Sequence, residues 1–255
     1  MLNRHKYYDT LNLIGYGLSK FDKLFVNTFG FSTKSAFYKY IVEIGIAETI
    51  GVVKNRQDLF DGMTEHGKRK GWWQKGAVYK HRRDYIDSLF GMLNTDEYVE
   101  IVKLSIADAI NDTTIVKSVR PILCSRFKQM QETGQEAEYY FLNNFKEIDF
   151  FSNASIDDAR LLGDGYDFQI TLPNKYYLIE VKGIRTEKGY IRMTKNEFEQ
   201  ASTFKNDYVL IIVCNLDEIP RMIPIFNPIN HIRFERKNIT SKQIYYHSKT
   251  NVWNI

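Results

Sequence analysis

Between Gly165 and Gly183 apolar and polar residues alternate with the two-residue period of a β-strand. The alternation comes in two runs, Gly165 to Leu172 and Tyr176 to Gly183, on either side of the tight turn Pro173-Asn174-Lys175. That arrangement predicts a β-hairpin. With the turn centred on Pro173-Asn174, Asp167 falls opposite Glu180. Phe168, Ile170, Leu172, Tyr177, Ile179 and Val181 then share one face, and Asp167, Gln169, Thr171, Glu180 and Lys182 share the other. A slip of one residue would mix the two sets, so the segregation itself sets the register. Further on, Tyr208 to Val213 is an unbroken apolar run closed by Cys214, which predicts a buried strand.

Elsewhere the period is helical. Leu18 to Phe29 has helical apolar spacing, and Ser32-Thr33 precede a long segment through Ile50 with Phe37, Tyr38, Ile41, Val42, Ile44 and Ile46 at its apolar positions. Lys80 to Leu93 carries Tyr85, Ile86, Leu89 and Phe90. Thr95 reads as an N-cap, with Asp96 and Glu97 in the first turn of a helix to about Ile110 that Asn111-Asp112-Thr113-Thr114 then breaks. Gly134 to Phe145 predicts another helix. Positions 138, 141, 142 and 145 form one stripe that is apolar except for Glu138, so Glu138 is expected to face inward and Glu136 to lie among polar neighbours. Thr194-Lys195-Asn196-Glu197 reads as a capping box, which by itself accounts for Glu197. His231 to Arg236 alternates like an edge strand, and Gln243 to Tyr246 like another. The chain therefore divides into a mostly helical region, 1–120, and an α/β (α+β) region, 121–255, across a soft boundary between Asn111 and Gln131.

Composition narrows the class without fixing it. A chain of 255 residues has room for one large or two small domains, and 44% hydrophobic with 26% charged residues fits a soluble globular protein. No apolar run approaches the ~20 residues of a membrane span, and Met1 to Lys6 lacks the apolar stretch of a signal peptide. Cys124 and Cys214 are far apart, neither Cys nor His shows zinc spacing, and a buried thiol at Cys214 in a reducing cytoplasm is the expectation. Net charge is only +4, but its distribution is uneven. Lys68, Arg69, Lys70, Lys75, Lys80, Arg82 and Arg83 fall in one stretch without an acidic residue, interleaved with Trp72, Trp73 and Tyr79. Such clustering is the footprint of phosphate contact with base stacking. The plainer readings are a solvated basic turn, or tryptophans packed under their own loop. A second basic stretch runs from Arg221 to the end, with Glu235 its one acidic residue.

The candidate chemistry lies in the second hairpin strand. Glu180 and Lys182 project from one face of an otherwise apolar run. Charges there are costly unless paired, hydrated or bound to a metal. Opposed carboxylates at Asp167 and Glu180 repel; Mg²⁺ between them relieves the repulsion and favours such oxygen ligands. The plainer reading is a solvated edge-strand face.

Asp167, then twelve residues, then Glu180-Val181-Lys182 resembles the PD-(D/E)xK nuclease superfamily. Residues 130 to 215, roughly, resemble a domain of bacterial restriction and defence proteins. The matching pieces are Gly134 to Glu138, Tyr166-Asp167, Ile179 to Lys182, Thr194 to Glu197 and Tyr208 to Asn215; Tyr166 stands where the family has Pro. The resemblance implies a restriction-endonuclease-like mixed sheet flanked by helices, behind a helical DNA-binding region. It implies one or two Mg²⁺ held by Asp167, Glu180 and the carbonyl of Val181, with Lys182 acting on the attacking water. Glu138 and Gln200 are implied as supporting residues. The function implied is a type II restriction enzyme: a cytoplasmic, homodimeric endonuclease on double-stranded DNA, with a companion DNA methyltransferase in the host. No Gly-x-x-x-x-Gly-Lys-Ser/Thr motif is present, so ATP-driven translocation is not encoded in this stretch. The rivals are a modification-dependent enzyme with Trp72, Trp73 and Tyr79 caging a flipped base, a repair or junction nuclease, an RNA-directed enzyme, and a catalytically silent DNA-binding module.

Overall fold

The computed structural model describes residues 6–62, 76–111, 119–238 and residue 248. Two separate apolar cores form. The first is helical: α1 (Tyr8–Lys20) is buried on nearly every face and touches α2 (Asp22–Phe29), α4 (Ile50–Asp61) and α6 (Thr95–Ile110). Outside these lie α3 (Lys34–Glu43) and α5 (Gly76–Phe90). Leu123, Phe127 and Met130 of α7 (Pro121–Gln131) belong to this core as well. The second core starts at Ala137, so by packing the division falls between Met130 and Ala137 rather than at 120/121.

Local chemistry sets the helix ends, and not always where periodicity places them. The run from Leu18 to Phe29 is two helices, because the chain turns at Phe21-Asp22, where Asp22 has φ 50°. The long segment after Thr33 also breaks: α3 ends at Glu43, Gly45 takes φ 77°, and α4 begins at Ile50. Ile46 keeps the apolar spacing because it enters the same core without being helical. Thr33 caps α3 by accepting the Ala36 N–H at 3.1 Å. Asn94, not Thr95, caps α6, with Glu97 closing the box.

The second core is a five-stranded sheet in the order β1-β2-β3-β4-β5. The strands are β1 (Ser155–Asp158), β2 (Phe168–Leu172), β3 (Lys175–Gly183), β4 (Tyr208–Cys214) and β5 (Arg221–Phe226). All neighbours are antiparallel except β3 and β4, so the fold is α+β with a mixed sheet. The β2–β3 register, Phe168↔Ile179 through Leu172↔Lys175, is the one that polar segregation predicts. α8 (Thr133–Asn144) covers the apolar face through Ala137 and Phe141; α9 (Lys195–Phe204) covers the other face near Leu178 and Tyr208. Gly183 permits the first of these contacts, since a Cβ there would lie 2.7 Å from the Thr133 carbonyl and 2.9 Å from the Ala137 Cβ.

Among the described residues β1 and β5 are the sheet edges. Periodicity misses both, because β1 is a polar four-residue strand and β5 contains Pro224, tolerated at an edge. The alternating stretch His231 to Arg236 is not a strand. His231 ends α10 (Pro228–His231), Ile232 packs beside Leu210, Ile212 and Cys214, and the Phe234 ring meets Phe198 of α9. Gln243 to Tyr246 lies outside the described residues. Cys124 and Cys214 are free, the latter buried. Among the described residues no helix is long and apolar enough to cross a membrane.

A buried ion cluster joins the two cores. Glu136, 1% exposed, receives Arg82 of α5 at 2.8 Å and Arg185, just past β3, at 2.6 Å. Asp217 lies 3.6 Å from both arginines, and Arg82 donates to the Leu216 carbonyl at 2.7 Å. Burial pushes the Glu136 carboxyl up, against the two guanidiniums. Arg82 is held charged: burial opposes its charge, and Glu136, Asp9 and Asp217 outweigh that. This reverses the expected burial of Glu136 and Glu138. A stripe on α8 shows apolar neighbours, whereas the partners of Glu136 come from 54 residues upstream and 49 downstream.

Candidate active site

The hairpin delivers the charged residues to the α9 face. The β2–β3 ladder stops one pair short of Asp167 and Glu180. There the Asp167 N–H donates to the Ile179 carbonyl at 2.8 Å, and the Asp167 carboxylate accepts the Val181 N–H at 2.8 Å. That side-chain bond fixes Asp167 beside the end of β3. In a strand, a residue's N–H and C=O point to the same side. The Val181 carbonyl is therefore directed toward Asp167 too.

Glu180 is 3% exposed, two residues beyond the buried Leu178 on the same face. Lys182 donates to Glu180 Oε1 and lies 2.8 Å from Glu197 Oε2. The same Glu197 oxygen accepts the Thr194 N–H at 3.0 Å and so closes the capping box of α9. Sequence reasoning reached the cap and missed the ion pair; the signal was a Glu on a helix that packs on the Lys182 face.

Burial pushes Asp167 up to about 6. The Val181 N–H and Lys182 resist that, while the charges of Glu138 and Glu197 add to it. Burial, then the Asp167 charge, pushes Glu180 up to about 8, with Lys182 pulling the other way. Lys182 itself is held as an ammonium: burial opposes its charge, and Glu180 and Glu197 outweigh it. Three acidic groups thus gather at one cation: Glu180 and Glu197 in contact with it, and Asp167 acting at longer range.

Glu138 does not relieve that surplus. Its carboxylate sits 3.2 Å from Arg160 Nη1, and Arg160 also holds Asp158 at 2.5 Å over the Phe168 ring. Gln200 packs its Cγ under Gly165, where a Cβ would lie 2.9 Å away; it supports the chain leading to Asp167.

The donor set fits Mg²⁺. Asp167, Glu180 and the Val181 carbonyl offer hard oxygens, and the raised carboxyls of Asp167 and Glu180 would give up their protons to a bound cation. Mg²⁺ needs only one or two carboxylates when water and substrate phosphates complete its shell. Among the described residues no group of three or more His, Cys, Asp or Glu side chains forms a ready metal cage.

The basic stretch fares differently. Lys68, Arg69, Lys70, Trp72, Trp73 and Lys75 lie outside the described residues. Lys80 is exposed on α5, and Arg83 is paired with Asp84 at 2.5 Å. Tyr79 accepts from Arg56 at 3.1 Å and packs against Phe60. Arg82, 4% exposed, is consumed by the buried cluster and is not a phosphate contact. The spacing on α5 already places Arg82 with Tyr85 and Ile86, on its inward side.

Residues 137–225 match the family described as Protein NO VEIN, C-terminal. The match runs from within α8 to within β5 and so takes in nearly the whole sheet with Asp167, Glu180, Lys182 and Glu197, though it is under half of the chain. Comparison with curated proteins and with solved structures gave no match.

Replacing Glu197 separates its two contacts. Glu197→Gln keeps an acceptor for the Thr194 N–H, because Gln serves a capping box as well as Glu does. The expected result is a melting temperature near wild type and a Lys182 ammonium that loses its proton at lower pH in an NMR titration, since it loses a charged anchor. Glu197→Ala is expected to lose the cap as well, about 1 kcal/mol. An unchanged Lys182 titration in Glu197→Gln would confine Glu197 to capping.

Proposed function

We propose that the chain is a Mg²⁺-dependent endonuclease acting on double-stranded DNA, with type II restriction as the particular activity. One observation carries the reading: half-buried Asp167 and buried Glu180, both raised, converge beside an ammonium that Glu180 and Glu197 hold. A purely structural ion pair has no use for the surplus carboxyls; a divalent cation with a phosphodiester does.

Asp167, Glu180 and the Val181 carbonyl would hold the ion. Once bound, it supplies charge neutralisation at the scissile phosphate and lowers the pKa of a bound water. The chain's own residues do the rest. Asp167 is fixed by the Val181 N–H. Lys182, as an ammonium, orients the attacking water by hydrogen bonding and stabilises charge that grows on the phosphate; protonated, it is not the base. Glu197 keeps Lys182 within reach of Glu180. In-line attack would form the new P–O bond from water, whose proton passes to solvent, and break the P–O3′ bond, whose oxygen takes a proton from solvent, leaving a 3′-hydroxyl and a 5′-phosphate. On this reading the enzyme is cytoplasmic and works as a homodimer, one site per strand, and its host carries a protecting methyltransferase.

The test is digestion of unmethylated phage DNA with Mg²⁺, beside Asp167→Asn. Discrete fragments, lost in the variant, are expected. A Mg²⁺-dependent smear lost in the variant would mean a less selective nuclease. Cleavage of methylated or branched DNA alone would favour the modification-dependent or junction reading. No cleavage of any of these would leave a DNA-binding module.

A further inference from the structure

The loop between β1 and β2 ends on Asp167 and carries two leucines that the fold does not bury. Leu161 is 100% exposed and Leu162 66%. The loop around them is tied down. Ala159 N–H donates to the Asp167 carbonyl at 2.9 Å, and Leu162 N–H to the Ala159 carbonyl at 2.9 Å. Asn196 of α9 donates to the Gly163 carbonyl at 2.9 Å, and the Tyr208 hydroxyl to the Gly165 carbonyl at 3.0 Å. Gly163 and Gly165 take φ 72° and 85°, turns that L side chains rarely make. Arg160 is occupied by Asp158 and Glu138. A fixed turn therefore displays the leucines outward. Turn chemistry calls for Gly, Asn, Asp, Pro or Ser; two adjacent leucines serve neither the turn nor a core.

Their position says what they meet. Asp167 forms the base of this loop, and Asn196, which anchors its far side, is the neighbour of Glu197. Leu161 and Leu162 precede Asp167 by six and five residues, so a duplex with a phosphate at Asp167, Glu180 and Lys182 would run close to the loop. Leucine is among the side chains that enter between base steps, partly unstacking and kinking DNA. We propose that Leu161 and Leu162 form an apolar wedge that opens a base step beside the scissile phosphate. The substrate cleaved is then a duplex locally unstacked by the enzyme. This rests on the nuclease reading.

The test uses the full chain on unmethylated phage DNA with Mg²⁺, comparing wild type with Leu161→Ser/Leu162→Ser. The variant is expected to melt like wild type, since both side chains face solvent, and to lose about tenfold or more in kcat/KM, the order of one lost stacking contact. Permanganate, which oxidises unstacked thymines, reads the wedge directly in the Lys182→Met background, where the DNA stays intact. Reactive thymines there should disappear when both leucines are replaced. Cleavage at the wild-type rate with unchanged permanganate reactivity would overturn the wedge and leave the nuclease reading standing. So would a changed elution volume with unchanged cleavage, which would give the leucines to a second copy of the chain. A lowered melting temperature would make the leucines structural and overturn the wedge as well. No Mg²⁺-dependent cleavage of unmethylated, methylated or branched DNA by wild type would overturn both readings.

Discussion

Lys182→Met is expected to lower the rate of Mg²⁺-dependent DNA cleavage about a hundred- to a thousandfold while the gel-shift affinity for DNA changes little. The magnitude is that of removing one charge-stabilising donor from a preorganised site. Methionine keeps most of the aliphatic stem, so side-chain volume is kept and the ammonium, with its pairs to Glu180 and Glu197, is what is lost. Glu180 and Glu197 then face each other without the cation that now lies between them. With nothing to pull it down, Glu180 rises further and takes a proton, so a folded and binding-competent protein is expected. Single-turnover cleavage against a gel shift on the same DNA separates chemistry from binding. Full activity in Lys182→Met would remove Lys182 from the reaction.

Arg82→Met is expected to destabilise the protein by about 3–5 kcal/mol, the usual cost of leaving one partner of a buried ion pair behind. Arg82 is 4% exposed and Glu136 1%. Without Arg82, Glu136 keeps only Arg185, at 2.6 Å, and the Leu216 carbonyl loses a donor. Urea unfolding followed by circular dichroism would read the loss as a lower midpoint at unchanged slope. The double variant Arg82→Met/Glu136→Met should recover much of it, because no buried charge is then stranded and Arg185 retains Asp217. Additive losses would show that packing, not charge, makes this contact. Arg185 follows Lys182 by three residues, so cleavage is expected to fall along with stability.

What was legible in the chain was what depends on near neighbours. The hairpin register follows from segregating Phe168, Ile170, Tyr177 and Ile179 from Glu180 and Lys182, and the Thr194–Glu197 capping box is a four-residue pattern. The helix breaks at Asp22 and Gly45 were hidden because core-facing residues continue across them. The partners of Glu136, the burial of Arg82 and the grip of Glu197 on Lys182 were not legible. Each is set by which helix the fold brings against which face, and no local period encodes that.

The two ends of the sheet restrict how a second chain could join it. β1 offers four residues carrying Asp157 and Asp158, and β5 is interrupted by Pro224, which has no N–H to give. Edges so short or so broken resist strand-by-strand addition and the fibrillar stacking that follows from it. At the edges the structure describes, a homodimer of this protein would not form by running one sheet into the next. Its contact would have to come from helices or loops, and on the proposed nuclease function those surfaces would set the angle between two sites, and with it the stagger of a double-strand cut.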